Sequence, residues 1–425
     1  MSNDGRPAGA RADTGPLIPP PGPGAEDFDV LVLGAGAAGL TCALEAGRRG
    51  LGVLLLEAGP RPGRKLAVSG GGRANFSNRS VTAADYLCRP DPAFPGPALA
   101  AVTPEDMLRR MRAWRLPVEE RDHGRLFLTV PARRLVRALE GACAAHGCRL
   151  ACHAAVRAVE RAEGAFVVHA AGRRWRGRAL VLALGSPAWP AAGGSYAGWH
   201  LAASLGHRVV PARPALVPLR LSGETPLGAA LRGLAVISVP ARLTLSPQEG
   251  GVQRSFEDDL LFTHTGLSGP LTLGASLFWR EGQPLELDLL PGHDTMALLD
   301  AGGARTPRSL LRGLLPQRLL DAVLPPELAR RKTAEPSRAA RREVTAALHA
   351  LRVTPSGTEG LNRAEACAGG VDTAEVEPSS MESRLVPGLF IIGELLDVTG
   401  RLGGYNLHWA WASATLAGRA VPGRG

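Results

Sequence analysis

Val30-Leu31-Val32-Leu33-Gly34-Ala35-Gly36-Ala37-Ala38-Gly39 runs an apolar stretch straight into G-x-G-x-x-G and on into small helix-forming residues. Phe28 to Leu33 is the short aliphatic, β-branched run expected of a parallel strand covered on both faces. Leu40 to Gly50 reads as a small-residue helix that packs tightly on that strand. Gly34 permits the tight turn, Gly36 lets bare backbone approach a pyrophosphate, and Gly39 allows close helix–strand contact. The pyrophosphate then meets the unpaired N–H groups at the helix start, at Ala37 and Ala38. A second strand, Val53 to Leu56, ends in Glu57, at the offset of roughly 20 residues where an acid holds the adenosine ribose. Strand, glycine turn, helix, strand and terminal acid in register predict an α/β, Rossmann-like dinucleotide-binding domain.

Glu57 suits NAD or FAD equally, so the choice rests on other segments. The stretch Gly63 to Asn78, GRKLAVSGGGRANFSN, brings bare backbone at Gly70, Gly71 and Gly72 close to a flat partner. Lys65, Ser69, Arg73, Asn75 and Asn78 supply polar groups beside it. A plain nicotinamide dehydrogenase has no need of such a loop there. Near the C-terminus, Gly388 to Ile392 reads as a strand ending in Gly393-Glu394, followed by Asp397 and then Gly403-Gly404-Tyr405-Asn406 at the start of the apolar helix Leu407 to Leu416. A Gly-acid pair feeding a helix N-terminus suits a ribityl hydroxyl and the flavin pyrimidine edge, where the helix stabilises negative charge on the reduced ring. FAD is the favoured cofactor. Another strand, Ala179 to Leu184, ends in Gly185 and returns the chain to it.

These segments, with FTHTGLSGP (Phe262 to Pro270), AGGVDTAEV (Ala368 to Val376) and the long stretch from Met381 to Ala414, resemble the HI0933-like flavoproteins, also described as NAD(P)/FAD-dependent oxidoreductases. The resemblance spans Phe28 to Gly418. It implies a glutathione-reductase-type FAD domain split in sequence by an inserted β-rich domain that carries a small helical subdomain. It also implies a backbone contact from Val156 to adenine. Members have been linked to reduction of a uridine in ribosomal RNA to dihydrouridine, and others to reduction of small unsaturated molecules. Two departures stand out: Ala74 occupies a position where the family commonly has Cys, and Cys367 one where it commonly has Thr.

On this reading residues 1–27 are a disordered tail, rich in Gly, Pro and Ala and without the apolar core of a signal peptide. Residues 28–205 form the first part of the FAD domain, 206–274 the first part of the inserted β-rich domain, 275–340 the helical subdomain, 341–360 the β-rich return, and 361–425 the rest of the FAD domain. The strand Arg149 to Val156 belongs to the first part. No second strand–G-x-G-x-x-G–helix unit follows, so NADPH or NADH is expected as a transient donor that visits the flavin without a domain of its own.

The 425 residues suffice for two or three domains with sizeable cores, and no apolar run reaches the ~18–20 residues of a transmembrane helix. No membrane association and a cytoplasmic location are expected. Six cysteines include Cys143, Cys148 and Cys152 near His146 and His153, but without the paired C-x-x-C of a metal site, so no metal is expected. The formal net charge is +10, and all basic residues except Lys65 and Lys332 are arginines. Clusters such as Arg109-Arg110-Met111-Arg112 and Arg173-Arg174-Trp175-Arg176 are solvated surface or a phosphate-binding face.

Proton-donor candidates are His264 in its glycine-rich turn, Cys367 ahead of Gly369-Gly370, and His408 beside the flavin-end helix. Arg73 is placed to stabilise a reduced flavin or hold an anionic substrate. Together these predict an FAD-dependent reductase of unassigned substrate, a small molecule or ribosomal RNA, with reduction of a ribosomal RNA uridine to dihydrouridine as the alternative. A flavin-holding protein without turnover is the competing class, and it would seal the flavin face that an enzyme leaves open.

Overall fold

A computed structural model describes residues 26–247 and 253–423. Residues 1–25 of the expected tail lie outside the described residues, and Glu26 and Asp27 already belong to the first strand. That strand, β1 (Glu26–Leu33), is buried from Asp29 onward and leads through the glycine turn to helix α1 (Ala37–Gly47) and strand β2 (Val53–Leu56). The main sheet runs Arg149–Ala151, β2, β1, Arg173–Leu182, Ala165–Ala170, Val156–Ala162. Its first four strands are parallel. The long strand Arg173–Leu182 changes partners along its length. Arg173 to Gly177 pair antiparallel with Phe166 to Ala170, while Leu180 to Leu182 pair in parallel with Leu389 to Ile391. This late parallel strand returns the C-terminal segment to the sheet that the N-terminal fingerprint began.

A second seven-stranded sheet, antiparallel throughout, runs Leu351–Val353, Leu285–Asp288, Ser238–Leu245, Arg254–Phe262, Gly266–Ser268, Leu219–Arg220, Gly357–Thr358. Val209–Ala215 and Ala366–Val371 form a two-stranded antiparallel ribbon on the way out to this sheet and back. Each sheet has its own apolar core, and a small cluster of Ala215, Leu216, Leu277, Ala366 and Ala368 sits at the junction.

Several boundaries differ from the sequence expectation. The stretch 275–340 is not purely helical. Leu285–Asp288 is an inner strand of the second sheet whose Leu285 and Leu287 point into its core, and helices occupy Thr295 to His349. Arg149 to Val156 is not one strand, because Cys152 to Ala155 interrupt it. The triple-glycine segment is no open loop either. Arg64 to Gly72 form helix α2, which kinks where Gly70 and Gly71 take left-handed φ values of 55° and 65°, and strand β3 (Asn75–Asn78) follows. Glycine is the residue that enters this region without a Cβ penalty.

Candidate active site

The turn between β1 and α1 is built by close approach. A Cβ on Gly34 would lie 2.5 Å from the Ala183 carbonyl oxygen, and one on Gly39 would lie 1.8 Å from the Gly34 oxygen. A Cβ on Gly36 would meet nothing within 4 Å, because it faces the cavity that opens in front of the helix. Glu57 braces the same turn. Its carboxylate accepts the Ala35 N–H at 3.0 Å and the Gly59 N–H at 2.8 Å.

The cavity has a volume of about 1270 Å³. Gly34, Gly36, Ala37, Ala38 and Glu57 line one part of it, with Val156 and Gly185 nearby; Lys65, Ser69, Gly70, Gly71 and Asn75 from α2 and β3 line another. Glu394, Gly403, Gly404 and Asn406 close the end supplied by the C-terminal segment. Gly404, at φ 98°, caps the helix Tyr405–Ala420, and a Cβ there would sit 2.2 Å from the Ser77 oxygen. Lys65 Nζ binds both carboxylate oxygens of Glu394, at 2.7 and 3.0 Å, tying α2 to the segment after Leu389–Ile391.

Other expected cofactor residues support the site from behind. Gly39 packs helix on strand. The Asn78 side chain donates to the backbone oxygens of His123 and Gly403 at 3.0 and 3.1 Å. The Gly393 N–H donates to Ser413 Oγ, and Asp397 accepts the Gly369 N–H. Tyr405 packs edge-on against Tyr86. Gly72 is likewise absent from the cavity wall.

The four expected catalytic side chains fare differently from the cradle. His264 is exposed on its turn, away from the cavity; Pro270 and Leu273, just beyond it, line the wall instead. Arg73 is exposed and donates to the Thr129 carbonyl, also off the cavity. Cys367 is buried with its thiol on the Ala368 carbonyl, and burial, with the Glu394 charge adding, pushes it up to about 12. His408 is sealed inside: Nε2 donates to the Val102 oxygen at 2.9 Å, which leaves Nδ1 to accept from Ser77 Oγ at 2.8 Å. Burial pulls it down to about 4, so it stays neutral and serves packing.

Sequence reading did not find Arg64, Arg121, Arg125, Phe127, Arg157, Trp189, His200, Leu216, Glu365 or Arg401, all on the cavity wall. They come from segments far apart in the chain, and no local spacing marks them. Among the described residues no group of His, Cys, Asp and Glu is arranged to hold a metal, and no helix is long and apolar enough to cross a membrane.

A strand–glycine turn–helix cradle, an acid at the end of β2, glycines whose missing side chains keep the floor open and a helix N-terminus at the far end fit an FAD molecule. They define an FAD-dependent oxidoreductase of the Rossmann type. Residues 28–420 match the HI0933-like protein Rossmann domain, and the chain belongs to that family. It is 37% identical over 396 residues to the ribosomal RNA dihydrouridine synthase of Escherichia coli, covering 92% of this chain and 96% of that one. It is 35% identical over 393 residues to the protein of the same name from Haemophilus influenzae, covering 90% and 96%. The 3-dehydro-bile acid delta(4,6)-reductase of Clostridium scindens is 29% identical over 412 residues, covering 92% of this chain and 98% of that one.

Proposed function

We propose that this protein reduces a uridine of ribosomal RNA to dihydrouridine, using FAD in the cavity and NADPH or NADH as electron donor. Two relatives similar over nine-tenths of the chain carry that activity in their names. The observation that carries it to this chain is the arginine wall of the cavity. Arg121, Arg125 and Arg401 pair with Glu119, Asp258 and Asp85, while Arg64 and Arg157 make no ion pair among the described residues. Such guanidinium groups suit the phosphates that flank a target base and set its register.

FAD, when bound, supplies the hydride for the C5=C6 bond of the base. The chain does the rest. Gly36 and the start of α1 receive the pyrophosphate, Glu57 the ribose, and the Lys65–Glu394 pair fixes the wall at the other end. The cavity exceeds the ~300–1000 Å³ of ordinary ligand pockets, which leaves room for a base swung out of its stack beside the cofactor.

A second reading, reduction of a small conjugated enone, draws on the apolar part of the wall at Leu216, Pro270, Leu273 and Leu402. Mass spectrometry of ribosomal RNA from a strain lacking the gene separates the two. Loss of dihydrouridine, restored by the intact gene, is expected; unchanged dihydrouridine would leave the enone reading standing.

A further inference from the structure

Reduction of a C=C bond conjugated to a carbonyl needs a hydride at the β-carbon and a proton at the α-carbon. That proton must come from a group facing the substrate. His264, Cys367 and His408 do not face the cavity; His200 does, with its ring engaged in a stack on Tyr196. Among the described residues three carboxylates face it as well, and two are committed: Glu57 to the N–H groups of Ala35 and Gly59, Glu394 to Lys65. The third is Glu365, whose carboxyl makes no hydrogen bond or ion pair among the described residues.

Resting on the reading of the site as a conjugated-alkene reductase, we propose that Glu365 is the acid that protonates the substrate. It stands at the head of the strand Ala366–Val371, exposed on the wall it shares with Leu216, Pro270 and Leu273, where the second sheet's part of the chain meets the FAD cradle. Its backbone N–H donates to the Leu216 carbonyl at 3.1 Å, which fixes the root of the side chain. Protein packed around the carboxyl pushes it above the usual range, and the Lys65 charge opposes that shift without cancelling it. Arg363, two residues earlier, is held by Glu359. A carboxyl so placed retains a proton closer to neutral pH and gives it up when carbanion character develops beside it. The π bond is replaced by two C–H bonds. Both electrons arrive with the hydride, drawn in turn from the nicotinamide donor, and the Glu365 carboxylate regains its proton from water at the cavity mouth.

The test is anaerobic stopped-flow reoxidation of the NADPH-reduced holoprotein over a range of pH. Two acceptors are used, 2-cyclohexenone and ribosomal RNA from a strain lacking the gene. Wild-type reoxidation is expected to slow as pH rises through the carboxyl's titration. Glu365→Gln should slow it on the order of 100-fold or more and remove that limb, with Glu365→Asp restoring part of both. The bound-FAD spectrum reports folding; should the Gln variant not hold FAD, the shifted pH profile of Glu365→Asp decides. Wild-type rates and an unchanged pH profile in Glu365→Gln would overturn the proposal and leave the reductase reading intact. A wild-type protein reoxidised by neither acceptor would overturn the reductase reading and the proposal with it.

Discussion

Glu57 closes the β1–α1 turn through Ala35 and Gly59, and on the proposed function the same carboxylate receives the adenosine ribose. Removing it leaves two N–H groups without their acceptor and, on that proposal, the ribose without its partner. Hydrogen bonds to a charged group contribute about 1.5–3 kcal/mol each, so Glu57→Ala is expected to weaken FAD binding by about tenfold or more. Titration of the apoprotein with FAD, followed by flavin fluorescence, measures this; an unchanged affinity would mean that Glu57 only braces the turn. The place of Glu57 on the cavity wall was legible because it is set locally, by a strand end at a fixed offset from the glycines. The Lys65–Glu394 pair was not legible as a pair, since 329 positions separate the partners. His408 was misread for a different reason. Its place near a helix start beside the cofactor suggested access, but that face of the helix turns inward onto Ser77 and Val102.

At the scale of elements, α1 and the C-terminal helix Tyr405–Ala420 pack together beneath the cradle. A Cβ on Gly418 would come within 2.7 Å of the Cys42 oxygen. Burying small residues on both helices is what permits this approach. His408 pins the C-terminal helix to β3 in its neutral form. Its value near 4 in the folded protein lies below the ordinary 6.5, so the unfolded chain binds the extra proton as pH falls between them. Stability from this group is whole above about 6.5 and is lost as pH falls through 4, by up to about 3 kcal/mol. Urea unfolding should show His408→Gln less stable at neutral pH but less sensitive to acid than wild type. Parallel pH dependences of the two proteins would contradict the assignment. The elements around the glycine fingerprint were readable because strand and helix periods change abruptly at Gly34. Leu285–Asp288 was overlooked although Leu285 and Leu287 alternate as a strand should, because four residues between proline- and glycine-rich turns offer little pattern.

In the whole molecule, two sheets with separate cores are joined by the ribbon of Val209–Ala215 with Ala366–Val371 and by the Arg125–Asp258 ion pair, which reaches from the strand Arg125–Leu128 to the second sheet. The cavity draws its cradle from the first sheet's segments and its Leu216, Pro270, Leu273 and Glu365 wall from segments at or beyond the ribbon. Sequence patterns located the first of these walls because a strand end, a glycine turn and a helix start are short-range features. They did not locate the opposite wall, because only the tertiary packing of distant segments creates it. The net charge of +10 is compatible with an RNA substrate. Reconstitution decides it. Purified protein, FAD and NADPH are incubated with ribosomal RNA from the strain lacking the gene, and the digested RNA is examined by mass spectrometry. A nucleoside two hydrogens heavier than uridine, formed only with all components present, is expected. Ribosomal RNA left unchanged while the same preparation's flavin is reduced by NADPH and reoxidised by an enone would contradict the RNA assignment.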